Sequence, residues 1–220
     1  IGAIAGDLAA VEELYALKQL MISLGSANID CRQDGAALDP SMGRGSYIFN
    51  AGIENIEGAD ALLLIGSNPR VEAAVLNARI RKAWRGNGMP IGVIGEGGEL
   101  RYEHEVLGAG PETLAEVVDG KHSFSKVLKN AKNPLIIVGQ GALARKDGGT
   151  VLGLAAKLAT SLNAVREDWN GFAVLHTAAA RVGALDIGFV PGEGGKDAAD
   201  MLGAMDVLFL AGADEIATDK

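Results

Sequence analysis

A five-residue apolar run, Ala61–Ile65, and the residues that follow it constrain the fold more than any other feature of the sequence. A short, fully apolar run is typical of a parallel strand that helices cover on both faces. Gly66-Ser-Asn-Pro69 comes next, followed by a helix predicted over residues 70–85 and a second apolar run over residues 90–94. A strand, a helix and a strand joined by short links predict a right-handed βαβ crossover and an α/β protein with mostly parallel sheets.

Both ends of the predicted helix carry residues that are favoured at helix termini. Asn68 is a favourable N-cap, and Pro69 is well suited to the first helical position. Asn87 and Gly88 are expected to close the helix. The beginning of this helix is therefore indicated twice over.

The side chains of this helix indicate contacts on two sides. Apolar residues fall in two sectors, one with Val71, Val75 and Ala78 and the other with Leu76, Ile80 and Trp84. A helix that is apolar on two sides is expected between two layers or at an interface. The basic residues do not form one stripe, so we expect them to pair with carboxylates of a neighbour: Arg70, Arg79, Arg81, Lys82 and Arg85.

The same pattern recurs along the chain and predicts two similar halves. Strands are expected at residues 1–6, 27–31, 134–138 and 207–211, and helices after an N-cap at Asp7 and at residues 111–118 and 150–162. Residues 32–58 predict a long loop with short helical pieces. An acidic residue, an apolar run and a glycine occur both at Asp60 to Gly66 and at Asp206 to Gly212. We therefore expect domains at residues 1–120 and 121–220, the second truncated, in a piece of a longer subunit.

Composition excludes several classes of function. The net charge of −8 argues against a general nucleic-acid surface. No apolar stretch approaches the ~20 residues that span a bilayer, so direct membrane insertion is not expected. The single cysteine, Cys31, excludes a four-cysteine zinc or iron–sulfur site, and the histidines (His104, His122 and His176) stand apart. We predict neither catalytic residues nor metal ligands in this chain.

Two glycine-containing turns are candidate ligand sites. Gly66-Ser-Asn-Pro69 precedes a helix, where backbone N–H groups and the helix dipole suit a phosphate and Arg70 adds positive charge. The same residues could serve only as a helix cap. Gly139-Gln-Gly141-Ala-Leu-Ala144 fits a weak dinucleotide fingerprint, but no acidic residue follows at the expected distance, which favours a purely structural turn.

Residues 66–84, with flanking stretches at 1–20, 122–129, 168–170, 174–176 and 185–192, resemble the large iron–sulfur (G) subunit of respiratory complex I, NADH:quinone oxidoreductase. That family is similar in turn to molybdopterin oxidoreductases. The resemblance implies two pseudo-symmetric Rossmann-like halves that hold a guanine dinucleotide cofactor between them. It assigns the nucleotide contacts to loops matching Gly66, Ser67, Asn68 and Pro69 and, in the second half, Gly212 and Asp214, here as possible vestiges.

The resemblance also implies a metal ligand soon after the strand that ends at Cys31. The residues found there are Arg32-Gln-Asp-Gly-Ala-Ala37, of which only Asp34 could offer an oxygen. We therefore expect that the redox site has been lost and that this chain carries no cofactor.

The function implied by the resemblance is that of a non-catalytic scaffold lacking molybdopterin. The parent subunit would relay electrons from NADH toward quinone through iron–sulfur clusters held in an N-terminal part outside this sequence. Its partners would be other peripheral-arm subunits, on the cytoplasmic face of the bacterial inner membrane or the matrix side in mitochondria. Two alternatives stay open: a molybdopterin-dinucleotide-binding oxidoreductase that retains its cofactor, and an independent NAD- or thiamine-type domain based on Gly139–Ala144.

Overall fold

The computed structural model describes residues 1–213 and divides into two compact units. The first unit joins Ile1–Arg44 to the segment from His176 onward, and the second is Gly45–Leu175. This division differs from the expected boundary between residues 120 and 121. Strands β3 (Ala61–Ile65) and β6 (Pro134–Val138), which lie on either side of residue 120, are hydrogen-bonded neighbours in one sheet. Neighbouring parallel strands need a long crossover connection, so one sheet draws on distant parts of the chain.

The second unit is built on a sheet of five parallel strands in the order β5-β4-β3-β6-β9. The remaining strands are β4 (Ile91–Ile94), β5 (Glu105–Gly108) and β9 (Phe172–Val174). All residues of β3 and β6 are buried, as their apolar runs predict. The α/β architecture with mostly parallel sheets is therefore confirmed.

Helices cover both faces of this sheet. On one face, Leu62 and Leu64 of β3 join a core cluster with Leu76 and Ile80, which belong to the helix Ala74–Asn87. On the other, a Cβ placed on Gly92 of β4 would lie 2.8 Å from Phe124 of the helix Phe124–Asn130. The helices of this unit are α2 (Pro69–Glu72), α3 (Ala74–Asn87), α4 (Pro111–Val118), α5 (Phe124–Asn130), α6 (Gln140–Leu143) and α7 (Gly148–Ser161).

The helix predicted over residues 70–85 is broken in two. Ala73, with φ −151° and ψ 70°, leaves the helical region and separates α2 from α3. Pro69 begins α2 and Gly88 closes α3 in the left-handed conformation, as predicted. Asn68 occupies the predicted N-cap position, but its side chain forms no capping hydrogen bond.

The first unit has a three-stranded parallel sheet in the order β10-β1-β2. Its elements are β1 (Gly2–Ala5), α1 (Val11–Ser23), β2 (Ile29–Asp30), α8 (Arg181–Asp186), α9 (Ala198–Met201) and β10 (Leu208–Ala211). Helix α1 follows Ala10, whose backbone N–H donates to Glu13 Oε2 at 3.0 Å. The predicted N-cap at Asp7 is therefore wrong, since the helix begins four residues after Asp7 and not directly behind it.

Short elements complete the chain. The loop predicted over residues 32–58 contains 3-10 turns at Pro40–Met42, Arg44–Ser46 and Glu54–Gly58. Strands β7 (Val165–Arg166) and β8 (Trp169–Asn170) form a small antiparallel hairpin. No helix within residues 1–213 is long and apolar enough to cross a membrane.

Candidate functional site

A cleft of about 510 Å³ opens in the second unit where β3, β4 and β6 end. The carboxyl ends of parallel strands are the usual ligand-binding edge of an α/β sheet. Gly66, Ser67 and Asn68 line the cleft, together with Glu96 and Arg145. The structure thus places three of the predicted loop residues at the edge where a ligand would be expected.

The glycines of the two turns bring the backbones of β3 and β6 into close contact. Gly66 has φ +59°, and a Cβ at this position would lie 2.4 Å from the backbone nitrogen of Ala142. A Cβ on Gly139 would lie 2.5 Å from that of Ser67. The Gly139 N–H also donates to the carbonyl oxygen of Ile65 at 2.8 Å. The glycines of the Gly139–Ala144 motif are therefore explained by packing, and α6 begins at Gln140, where only a turn was predicted.

A carboxylate of the chain itself binds the donors of the Gly66–Pro69 loop. Ser67 Oγ donates to Glu72 Oε2 at 2.7 Å, and the Asn68 backbone N–H donates to Glu72 Oε1 at 2.9 Å. The Asn68 amide oxygen is buried and accepts no hydrogen bond from the described residues. Glu72 therefore holds two donors that a phosphate could use, the Ser67 hydroxyl and the Asn68 N–H.

Sequence reasoning missed Glu72, although a signal was present. An acidic residue in the first turn of a helix is favoured by the helix dipole and often accepts from free backbone N–H groups. Glu72 lies four residues after Asn68, one residue beyond the usual capping-box spacing. The kink at Ala73 shortens the helix and leaves Glu72 as its last residue.

The charged side chains at the cleft do not favour an anion at the β3 loop. Glu72 and Glu96 contribute carboxylates, and the guanidinium of Arg145 is paired with Asp147 at 2.7 Å. Hydrogen bonds from Arg145 hold the pKa of the Asp147 carboxyl below its usual range. Arg70, expected to add positive charge, pairs instead with Glu99 at 2.9 Å and does not line the cleft. A diphosphate at the β3 loop would meet two donors that Glu72 already occupies.

In the first unit, ion pairs engage the polar residues after β2. Arg32 Nε lies 2.8 Å from Asp30 Oδ1, and Asp30 is only 1% exposed. Arg181, which is 2% exposed, pairs with Asp34 at 3.0 Å. Burial, reinforced by the charge of Asp30, raises the pKa of the Cys31 thiol to about 12. Cys31 is thus a protonated thiol at neutral pH, and Asp34 is already bound to a cation.

Comparison with known proteins identifies the family. The Molybdopterin oxidoreductase family matches residues 1–220, the whole chain. The chain belongs to this family.

Two curated relatives are similar over almost the whole chain. NADH dehydrogenase [ubiquinone] iron-sulfur protein 1, mitochondrial, of Solanum tuberosum is 42% identical over 99% of this chain and 29% of that protein. The G subunit of the NADH-quinone oxidoreductase of Rickettsia conorii is 43% identical over 100% of this chain and 32% of that protein. The chain therefore spans about a third of the length of these relatives.

One solved structure has a weaker likeness to this chain. A chain of the formyltransferase/hydrolase complex of Methylorubrum extorquens, crystallised with methylofuran, is 20% identical, with a TM-score of 0.48. The match covers 86% of this chain and 59% of that chain.

As a molybdopterin oxidoreductase family member, the chain was expected to have a second nucleotide loop at Gly212 and Asp214. Gly212 has φ +61°, and a Cβ on Gly6 would lie 1.6 Å from its carbonyl oxygen, so β1 and β10 end in close backbone contact. Asp214 lies outside the described residues. The loops at Gly66 and Gly212 belong to different compact units. Within residues 1–213, no three His, Cys, Asp or Glu side chains are grouped so that they could hold a metal ion.

Proposed function

We propose that this chain is the molybdopterin-oxidoreductase-like part of the large iron–sulfur subunit of NADH:quinone oxidoreductase, and that it acts there as a non-catalytic scaffold. The observation that carries the proposal is the identity of 42–43% over 99–100% of the chain to two such subunits. Similarity at this level along the full chain supports a common role and not only a common fold.

The geometry of the β3 loop supports a scaffold without a pterin dinucleotide. The hydroxyl of Ser67 and the N–H of Asn68 already donate to Glu72. A phosphate would have to displace this carboxylate or lie beside its negative charge. Because an anion next to a carboxylate in a partly desolvated cleft is unfavourable, the loop stabilises the turn and does not recruit a nucleotide.

The residues after β2 support the loss of a redox metal in the same way. Asp34 is the only carboxylate in the segment where the family resemblance implies a ligand, and Arg181 is bound to it at 3.0 Å. Cys31 is buried, and its raised pKa disfavours the thiolate that a metal would bind. To bind a metal at this position, the chain would have to break the ion pair between Asp34 and Arg181 and deprotonate the Cys31 thiol.

In this proposal the electron-carrying iron–sulfur clusters belong to another part of the parent subunit. The chain contributes surface for other peripheral-arm subunits, on the cytoplasmic face of the bacterial inner membrane or the matrix side of the mitochondrial one. Its single cysteine, Cys31, could not hold a cluster by itself.

The test is a chemical analysis of the native complex that contains the full-length subunit. We expect NADH:quinone oxidoreductase activity to co-purify with this polypeptide, with iron in stoichiometric excess and molybdenum and tungsten below one-tenth of the subunit concentration. Extraction and oxidation of pterins should yield no stoichiometric fluorescent product. Molybdenum or pterin equimolar with the subunit would overturn the scaffold proposal, and failure to co-purify would overturn the assignment to the complex.

A second candidate function is a molybdopterin-dinucleotide-binding oxidoreductase, favoured by the family match and by the open cleft beside Ser67 and Asn68. It predicts that the native complex binds a guanine nucleotide in calorimetry and that Glu72→Gln strengthens this binding. Glu103→Gln, at an exposed glutamate that does not line the cleft, is the matched control. Absence of binding at millimolar nucleotide for both wild type and Glu72→Gln contradicts this second function.

A further inference from the structure

The outer surface of α2 and α3 is apolar at one end and basic at the other. Val71 and Val75 are 79% and 73% exposed, among the most exposed large apolar residues of the described chain. Ala78, Arg81 and Arg85 continue this surface toward the C-terminal end of α3, and all three are exposed. We call these five residues the α3 outer face.

The opposite side of the same helix packs against the core of its own unit. Leu76, Ile80 and Ala83 are buried in the cluster under the sheet, and Trp84 packs against it. Of the two apolar sectors predicted for this helix, the sheet thus covers one. The sector with Val71, Val75 and Ala78 is not covered within Gly45–Leu175.

Of the four cationic side chains of α3, two form ion pairs within the unit and two do not. Arg79 and Lys82 both bind the carboxylate of Glu57, at 2.7 Å and 2.5 Å. Arg81 and Arg85 form no ion pair or side-chain hydrogen bond with any of residues 1–213. They lie one helical turn apart, about 6 Å between Cβ atoms, and they flank a shallow groove beside Ala78.

The chain as a whole is acidic, with 28 Asp and Glu against 20 Lys and Arg. Two unpaired arginines beside exposed valines in such a chain indicate a surface that is complementary to carboxylates on another molecule. Arginine is suited to this role because its planar fork of donors matches a carboxylate and its guanidinium is weakly hydrated. Two arginines are too few to hold a membrane surface, where each contributes only about 1 kcal/mol. The net charge of −8 disfavours nucleic acid.

We propose that the α3 outer face is a docking surface for a protein segment that carries two carboxylates about one helical turn apart next to a small apolar patch. The carboxylates pair with Arg81 and Arg85, and the apolar patch covers Val71, Val75 and Ala78. The inference rests on the proposed function in one respect, since the partner is taken to be another subunit of the same redox complex.

The experiment uses the full-length subunit in its native complex, with the photo-cross-linking residue p-benzoylphenylalanine at position 78. After irradiation, mass spectrometry identifies the residues joined to it. We expect a cross-link to a second subunit within about five residues of an acidic pair. Arg81→Glu with Arg85→Glu should reduce its yield more than about tenfold, since like charges across an interface are strongly unfavourable. Replacing the partner's two carboxylates by lysines should restore it.

Lys126→Glu with Lys157→Glu is the matched control. Both lysines are exposed on helices of the same unit, form no ion pair with residues 1–213, and their reversal changes the net charge by the same amount. The control should leave the cross-link within twofold of wild type. If the arginine double reversal lowers the melting temperature of the full-length protein, Arg81→Gln with Arg85→Gln replaces it, with a smaller expected loss.

Several results would overturn the docking surface. These are a cross-link to the same polypeptide, to a second copy, to lipid or to nucleic acid; no protein cross-link in an assembled complex; or a yield that the arginine reversal leaves unchanged. The last two leave the proposed function standing. A charge-dependent cross-link to an acidic protein outside the complex would instead support the docking surface while contradicting the proposed function.

Discussion

At the end of β3, two glycine-containing turns pack backbone against backbone, and a glutamate of the next helix accepts from the free donors. At the end of β2, the chain instead pairs buried or half-buried aspartates with arginines. The first arrangement combines packing between the turns after β3 and β6 with hydrogen bonds inside one of these turns, and it leaves a cleft open beside them. The second joins Asp34 to Arg181 across 147 positions of sequence.

Because of this difference, the two strand ends should respond differently to substitution. Close backbone packing tolerates no added side chain, but it involves no buried net charge. A buried ion pair is sensitive to the loss of either partner, because the remaining charge is left without compensation in a poorly solvated place. In both places the polar groups at the strand end are engaged by other residues of the chain itself.

The largest effect is expected from Arg181→Met. This change removes a guanidinium that is 2% exposed and leaves Asp34 without its ion-pair partner. We expect the free energy of unfolding to fall by about 4 kcal/mol, measured by urea denaturation at neutral pH. Arg145→Met is the control in the second unit, where the ion pair with Asp147 is exposed to solvent and should contribute little. Equal losses for the two variants would remove the distinction between the two strand ends.

Gly66→Ala tests the backbone junction at β3. The added Cβ would require a left-handed conformation and would lie 2.4 Å from the Ala142 nitrogen. We expect a loss of about 3 kcal/mol, from the conformational strain together with overpacking. Gly88→Ala is matched in conformation, with φ +65°, but its Cβ would meet none of the described residues within 4 Å. It should cost about 1 kcal/mol. Similar losses in thermal or urea unfolding would show that contact with Ala142 is unimportant.

The thiol of Cys31, at the end of β2, should make the free energy of unfolding depend on pH. Its pKa is raised in the folded state from 9.0 to about 12, so only the unfolded state loses the thiol proton between these values. The contribution of this thiol to the stability of the folded state is therefore fully present below pH 9 and is lost as the pH rises toward 12. Between pH 7 and pH 10.5 the loss should be about 2 kcal/mol.

The measurement is urea unfolding under reducing conditions at the two pH values, for wild type and Cys31→Ala. The variant should lose less stability than wild type on going to pH 10.5, and the difference isolates the thiol from other groups that titrate there. A pH-dependent loss that is the same in both proteins would contradict the assignment. Rapid alkylation of the folded wild type at pH 8 would contradict it as well, since a buried thiol should react slowly.

The smallest effect is expected from Glu72→Gln in the second unit. The amide keeps one acceptor oxygen for Ser67 or Asn68 and loses the charge that strengthens both hydrogen bonds. We expect the free energy of unfolding to fall by about 1 kcal/mol. Glu103→Gln, an exposed control, should change it by less than half as much. An increase in stability on removing the Glu72 charge would mean that the carboxylate is repelled at this loop and not bound.

Several elements could be predicted from the sequence because their signals are local. The apolar runs of β3 and β6 and the helix Pro111–Val118 have the bounds that were predicted. Strand β5 was missed, since Glu105–Gly108 is an edge strand whose side chains are exposed or half-buried and lack an apolar run. The break at Ala73 was missed because alanine favours helix, and the hydrogen bonds of Glu72 with the preceding loop compete with helical continuity.

The sequence by itself determined the α/β class, the family resemblance and the position of the Gly66–Pro69 loop at a strand end, since strand runs, helix caps and glycine turns act over a few residues. Only the tertiary structure decided how the loop's donors are used and what neutralises Asp34. It also decided the division of the chain, because residues 1–44 meet the segment from His176 onward to form one unit. Pairing between distant residues depends on how the strands are ordered in the sheet, and neither periodicity nor spacing along the chain encodes that order.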